Sequence, residues 1–401
     1  MTILSKLFLG LLLATPCFAA DWLQFRGPGG SGVADATETE VPVRFAENSI
    51  AWKLSLPGRG LSSPIVIGDR VIVTCSSGPG QEQLHVFCVD AATGKAIWER
   101  RFRSTGRTMT HDKTSVAAPT PCSDGKLIFA IFSSNDLFCL NLNGELRWLR
   151  GLTYDYANAS NSLGLASSPV VAEHTLVVQS ENDSESFAVG ISTVDGTNRW
   201  MKPRPKAANW TSSVVIPGDS PVVALQSSKG VLGIAPATGS ELWEFTEGAS
   251  TIPSATVSGG ILFVPSSGMT ALQPSGAKLE KLWRNEQARP KTSSPVAYDG
   301  RLYFPEGGVL TALRADNGEK LWKARTQGDY SASPVIANGH LYLFNEAGTG
   351  QIIPLASDQA EPAITSEISL GETVLCTPAI SGGAIYVRSD GHLWKLAEPG
   401  P

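Results

Sequence analysis

Asp316-Asn317-Gly318-Glu319-Lys320-Leu321-Trp322 reads as a turn that feeds a strand ending on tryptophan. Asn317-Gly318 tolerates the positive φ a tight reversal needs, and the residues after it begin a β-rich run. The same Gly-x3-Trp spacing recurs at Gly94/Trp98, Gly144/Trp148, Gly196/Trp200 and Gly239/Trp243. Trp52 and Trp283 extend the series without the glycine, so that seven tryptophans follow one another at intervals of 39 to 52 residues. Self-similarity at that period marks a repeat architecture.

Each signature closes a longer unit. The unit opens on a small-Ser-Pro or similar entry: Ser62-Ser63-Pro64, Ala118-Pro119, Ser167-Ser168-Pro169, Ser293-Ser294-Pro295, Ser333-Pro334 and Thr377-Pro378. Two divergent units enter at Thr211-Ser212-Ser213 and Ile252-Pro253-Ser254. A short apolar strand follows, then an Asx-Gly turn such as Asp299-Gly300 or Asn338-Gly339, then a second and a third strand. Four strands per unit of this length make a propeller blade. Entries near 63, 119, 168, 213, 253, 294, 334 and 378 predict an all-β, eight-bladed propeller of four-stranded antiparallel blades over residues 50–396. Seven blades is the runner-up, because the seventh unit diverges over 355–370 and lacks its Trp. The last unit stops after Leu393-Trp394-Lys395-Leu396, and an orphan fourth strand, Ile50-Ala51-Trp52-Lys53-Leu54, stands before the first unit. Pairing the two closes the ring and removes an open edge.

Composition agrees with one large β-rich body. The 401 residues are 42% hydrophobic and only 17% charged, with 40 Gly and 26 Pro in no strict short period. The net charge of −5 is spread along the chain, and no basic block interleaved with aromatics points to nucleic acid. At the N-terminus, Lys6 precedes the apolar run Leu7–Ala14, too short to span a membrane. Residues 1–19 read as an export signal cleaved after Ala19, or less well after Ala20. Cys17 is a weak lipoprotein candidate because Thr15 and Pro16 depart from a small-residue lipobox. The expected mature protein is exported, periplasmic or secreted. Residues 20–49 form an arm that Trp22 and Phe25 pin to the ring, with Gly29 to Glu40 expected as extended surface chain; 397–401 is a short tail. Five cysteines remain after processing, an odd number that excludes a complete disulfide framework.

Ala91-Ala92-Thr93-Gly94-Lys95-Ala96-Ile97-Trp98 and Ala235-Pro236-Ala237-Thr238-Gly239-Ser240-Glu241-Leu242-Trp243 resemble the tryptophan-docking repeat of the pyrroloquinoline-quinone (PQQ)-like propellers. The resemblance runs from about Ile50 to Leu396. It implies eight blades and a role between neighbouring blades for Trp98, Trp148, Trp200, Trp243, Trp283 and Trp322. Asp21-Trp22-Leu23-Gln24-Phe25-Arg26-Gly27-Pro28 also resembles the opening of exported bacterial members. Two branches of the family are relevant. The quinoprotein dehydrogenases hold PQQ on the axis with a calcium-type metal, an Asp base and often a vicinal disulfide. This chain has no adjacent cysteines, and no Glu/Asn/Asp metal set matches it residue by residue. The BamB-type propellers act through protein contacts without a cofactor. The resemblance therefore favours a non-enzymatic exported scaffold, without cofactor, whose partner is a protein or envelope component. A PQQ-dependent oxidoreductase using the axial funnel is the alternative.

Other chemistry has less support. His85, His111, His174, His340 and His392 are scattered without ligand spacing. Glu181, Asp183 and Glu185, with Asn182, are expected to form a solvated hairpin loop rather than a calcium site. No catalytic residue is assigned. The place a propeller offers a ligand is the funnel where its innermost strands begin. Arg59, Lys113, Asn161, Trp210, Lys291 and Tyr330 precede those strands and are the expected lining, with Arg59, Asn161, Trp210, Lys291 and Tyr330 as binding candidates.

Overall fold

The computed structural model describes residues 20–159, 163–355 and 362–398. The expected export signal at 1–19, the binding candidate Asn161 and the end of the tail lie outside the described residues.

Eight four-stranded antiparallel sheets follow one another in a ring. Blades 1 to 8 begin at their innermost strands: Ile65–Ile67, Cys122–Ser123, Val170–Ala172, Val214–Ile216, Thr256–Ser258, Val296–Tyr298, Val335–Ala337 and Ala379–Ser381. The predicted closure is present. Ile50–Ser55 is the outer strand of blade 8 and pairs antiparallel with His392–Ala397, with Lys53 opposite Trp394 and Ser55 opposite His392. Helix is confined, among the described residues, to Leu152–Asp155 and two 3-10 turns.

Burial follows position within the blade. The second and third strands of blade 1, Arg70–Ser77 and Gln83–Asp90, are covered on both faces because the neighbouring blades pack against them. The outer strands alternate instead, as in Lys320–Arg325, since only one of their faces meets the next blade. The five described cysteines are buried free thiols. Burial pushes Cys75 up to about 11, so it behaves as a small apolar side chain rather than a nucleophile.

The Gly-x3-Trp signature works between blades rather than within one. Trp52 packs on Gly94, Trp98 on Gly144, Trp148 on Gly196, Trp200 on Gly239 and Trp283 on Gly318. A Cβ on Gly239 would lie 2.6 Å from the Trp200 ring, and the glycine has φ +71°. Both its missing side chain and its left-handed backbone are therefore required. The indole N–H groups complete the dock: Trp98 Nε1 donates to Leu142 O at 2.9 Å and Trp200 Nε1 to Pro236 O at 2.7 Å. Trp243 is an exception, with no hydrogen-bond partner for its Nε1 among the described residues. Blade 5 replaces the docking turn by a tight hairpin in which Ser275 pairs with Lys278. Trp200, Trp243 and Trp322 are buried, whereas Trp98, Trp148 and Trp283 keep one edge at the surface.

Two expectations are corrected. Blade 2 begins at Thr120-Pro121, since its inner strand is Cys122–Ser123, and Ala118-Pro119 belongs to the preceding loop. Of the segment expected as surface chain, Gly29 to Ala34 is drawn into the ring by unpaired inner-strand edges, whereas Asp35, Ala36, Thr37, Thr39 and Glu40 are exposed as expected. Trp22 pairs through its backbone with Val66 of blade 1, and Val33 bridges Ile336 of blade 7. Gly32 O accepts from Ile336 N at 2.8 Å.

Candidate functional site

The eight innermost strands begin around a cavity of about 370 Å³ lined by residues from every blade. Its polar lining includes a ring formed by the Ser or Thr that precedes each innermost strand. Ser63 N donates to Thr120 Oγ1 (2.9 Å), Thr120 N to Ser168 Oγ (3.0 Å) and Ser168 N to Ser212 Oγ (3.0 Å). The chain continues from Ser212 N to Ser254 Oγ (2.9 Å), Ser254 N to Ser294 Oγ (3.0 Å), Ser294 N to Ser333 Oγ (3.0 Å) and Ser333 N to Thr377 Oγ1 (3.0 Å). The circle stays open between blades 8 and 1, where Ser63 Oγ has no partner among the described residues. Proline follows six of these residues, so no backbone donor is left unpaired at the channel edge there. Blade 5 has Ala255 instead, and its N–H is taken by Gln226 Oε1 at 2.8 Å.

The far end of the channel is filled by the arm. Phe25 forms part of the cavity lining. Arg26 is fully buried and donates to Ala255 O (3.1 Å), Thr256 Oγ1 (3.2 Å) and the carbonyl of Pro295. Burial without a carboxylate partner lowers its guanidinium pKa to about 9.

The expected funnel residues are distributed unevenly. Trp210 and Lys113 line the cavity. Trp210 Nε1 donates to Gly164 O at 3.0 Å, so the indole stands as a wall. Lys113 reaches across the mouth to Glu346 of blade 7 at 3.1 Å. Partial burial would raise the Glu346 carboxyl, but Ser331 and Lys113 together hold it below its ordinary value. Arg59 is on the rim, donating to Asp112 O at 2.6 Å and facing Asp390 at 3.5 Å. Lys291 is exposed and is not part of the lining. Tyr330 is buried among Trp322, Val296 and Leu310, with its hydroxyl donating to Gln351 Oε1 at 2.6 Å. Burial pushes its phenol pKa up.

Sequence reasoning missed the hydroxyl ring and the apolar part of the wall, Leu61, Leu163, Ile252 and Leu375. A signal for the ring was present, namely a Ser or Thr at the same place in every repeat. The acidic loop is also not fully solvated. Glu181 is buried with Arg204 at 2.7 Å, and Asn182 is buried as the acceptor for Ser184 N and Glu185 N. Only Asp183 and Ser184 are exposed there. Among the described residues no group of His, Cys, Asp or Glu has the arrangement of a metal site.

The structure resembles that of BamB from Moraxella catarrhalis, at TM-score 0.62 and 14% identity, over 86% of this chain and 96% of that one. It also resembles a europium-containing methanol dehydrogenase (TM-score 0.68, 10% identity, 94% and 98% covered). A third neighbour is the quinohemoprotein alcohol dehydrogenase from Comamonas testosteroni (TM-score 0.70, 11% identity, 95% and 81% covered). At these identities the likeness concerns the fold alone. No curated protein matches the sequence. A family model described as outer membrane protein assembly factor BamB matches residues 33–182, 85–255 and 266–363. With matches over most of its length, the chain belongs to the family of PQQ-repeat propellers which that model describes.

Proposed function

We propose that this protein is an exported, non-enzymatic propeller scaffold that docks a protein or envelope component on the face bearing the channel mouth. The observation that carries the reading is the apolar character of that face. Met109, Tyr154, Leu163 and Ile252, 61%, 80%, 40% and 48% exposed, all stand on segments that lead from one blade into the next, Tyr154 on the short helix Leu152–Asp155. Leu163 and Ile252 line the cavity with Trp210 and Lys113, and Lys113 pairs with Glu346. Exposed apolar groups rimmed by charges favour a protein partner, which buries the former and pairs the latter.

The alternative, an axial quinone cofactor, asks for different residues. PQQ carries three carboxylates, and a calcium-type ion beside it needs several hard oxygen ligands. Among the described residues the cavity lining includes no carboxylate, and its cationic candidates are His111 and Lys113, the latter already engaged by Glu346. The hydroxyls of its polar ring accept backbone N–H bonds from neighbouring blades. This donor set does not fit a calcium-held quinone, and no step is derived through one.

A photo-crosslinking residue placed at Ile252 or Met109 in cells with an intact envelope tests the proposal. The expected result is one discrete adduct that is absent when the same group replaces Val194, which is exposed on a turn between third and fourth strands. Stoichiometric uptake of PQQ with calcium, accompanied by dye reduction with alcohols, would overturn it.

A further inference from the structure

We infer that Glu38 is a capture site for the α-ammonium group created when the export signal is removed before Ala20. The inference rests on the reading of an exported, processed chain. Glu38 is only 4% exposed, and its carboxylate faces the turn between the first two strands of blade 8. Gly382 N donates to Oε1 at 2.9 Å and Gly383 N to Oε2 at 2.8 Å. The third donor is Ala20 N, 3.2 Å from Oε1. Ser381 Oγ in turn donates to Ala20 O at 2.7 Å, so the Ala20 backbone is held by Glu38 on one side and by the blade 8 hairpin on the other.

The charge balance of this site is incomplete as long as Ala20 is an internal residue. None of the ion pairs among the described residues involves Glu38. A buried carboxylate held by neutral amides alone bears a desolvation cost that a cation offsets. Hydrolysis of the Ala19–Ala20 amide by a signal endopeptidase supplies one. Water adds across the bond, Ala19 leaves with the carboxylate, and Ala20 keeps the amine. With an ordinary pKa of about 7.7–8.0, that amine takes up a proton at neutral pH. The neutral N–H at Glu38 becomes a three-donor ammonium in the same place. The geometry also chooses between the two cleavage positions, because a cut after Ala20 would remove the group that Glu38 holds. Captured in this way, the new terminus fixes the start of the arm that sets Trp22 against blade 1 and carries Phe25 and Arg26 to the channel.

The test compares four purified proteins. One pair begins at Ala20 and the other carries Gly-Ser before it, which displaces the ammonium by roughly 7 Å; each pair is made with Glu38 and with Glu38→Gln. Steric effects of the extension appear in both backgrounds, whereas an ion pair appears only with Glu38. The expected result with Glu38 is a lower melting temperature for the extended chain and about tenfold faster amide exchange in residues 21–40, the scale of a hydrogen bond to a charged group. With Glu38→Gln the extension should change neither. Equal effects of the extension in both backgrounds, or none in either, would overturn the capture. Mass spectrometry of the protein from its own envelope separates the premises. Ala20 at the terminus supports both, whereas an unprocessed chain overturns export processing and this inference with it.

Discussion

Arg388 Nη1 donates to the carbonyl of Thr74, tying the second strand of blade 8 to the second strand of blade 1 where the ring closes. The side chain is fully buried, and the bare Gly60 makes room for it, since a Cβ there would lie 2.5 Å from Nη1. The same relation occurs elsewhere with a neutral donor. Gln179 holds the matching register position in blade 3 and donates to the carbonyl of Gln226 in blade 4 at 2.6 Å. Among the described residues Arg388 Nε and Nη2 have no hydrogen-bond partners, and burial lowers its pKa.

The comparison gives a prediction of opposite outcomes at one residue. Arg388→Gln keeps a donor for Thr74 O and removes a desolvated charge, so stability should hold or rise. Arg388→Ala leaves that carbonyl unpaired beside a cavity and should cost about 2–5 kcal/mol. Urea denaturation of the two variants decides this, and equal losses would contradict the neutral-donor account.

The tryptophan docks differ in a way that substitution can read. Trp200→Phe loses the bond to Pro236 O and should cost about 1 kcal/mol beyond any change in packing. Trp243→Phe has no such bond to lose and should cost less. Trp243→Ala empties a buried site and should cost ~3–5 kcal/mol. Gly239→Val should also destabilise, because it strains a positive φ and meets the Trp200 ring. Thermal melts give the order: Trp243→Phe mildest, Trp243→Ala among the worst.

These elements also mark what the sequence could convey. The Gly-x3-Trp spacing disclosed the blades and the closing strand because both depend on local patterns repeated many times. Which Gly meets which Trp was not legible, since that contact joins successive units and only the ring geometry pairs Trp98 with Gly144. The funnel residues were placed by proximity to strand entries, which fixes the backbone but not the direction of a side chain. Trp210, two residues before the ring hydroxyl Ser212, turns to the cavity as Ser331 does before Ser333, whereas Tyr330, one residue earlier, turns into the blade interface. The arm escaped for a related reason. Gly29 to Gly32 has a loop-like composition, and it is covered only because unpaired inner-strand edges and the buried carbonyls around Arg26 are waiting for it.

Glu181 predicts a pH dependence. Burial raises its pKa to about 7, outweighing Arg204 at 2.7 Å. A carboxyl raised in the folded state favours folding when protonated. Its contribution is complete below the unfolded value of about 4.3 and is lost as pH rises through about 7. The loss is on the order of 3 kcal/mol across that window. Glu181→Gln cannot ionise, so its unfolding free energy should lack this fall between pH 5 and 7.5. Parallel pH profiles for the two proteins would mean that the pair stays ionised throughout.

The Lys113–Glu346 pair separates stability from the behaviour of the mouth. Lys113 is 70% exposed and Glu346 26%, so water and salt screen their attraction, and Lys113→Ala should cost no more than about 1 kcal/mol. The pair nevertheless joins the loop between blades 1 and 2 to blade 7 across the opening. Its removal should release that loop, raising amide exchange in residues 107–114 while the blade strands stay protected. Salt should reproduce the effect in the wild-type protein and add little to Lys113→Ala, because screening acts on the same contact. Exchange that is unchanged in the variant would show that the backbone bonds of Ser62 N to Ala117 O and Ser133 N to Val116 O hold the loop without the ion pair.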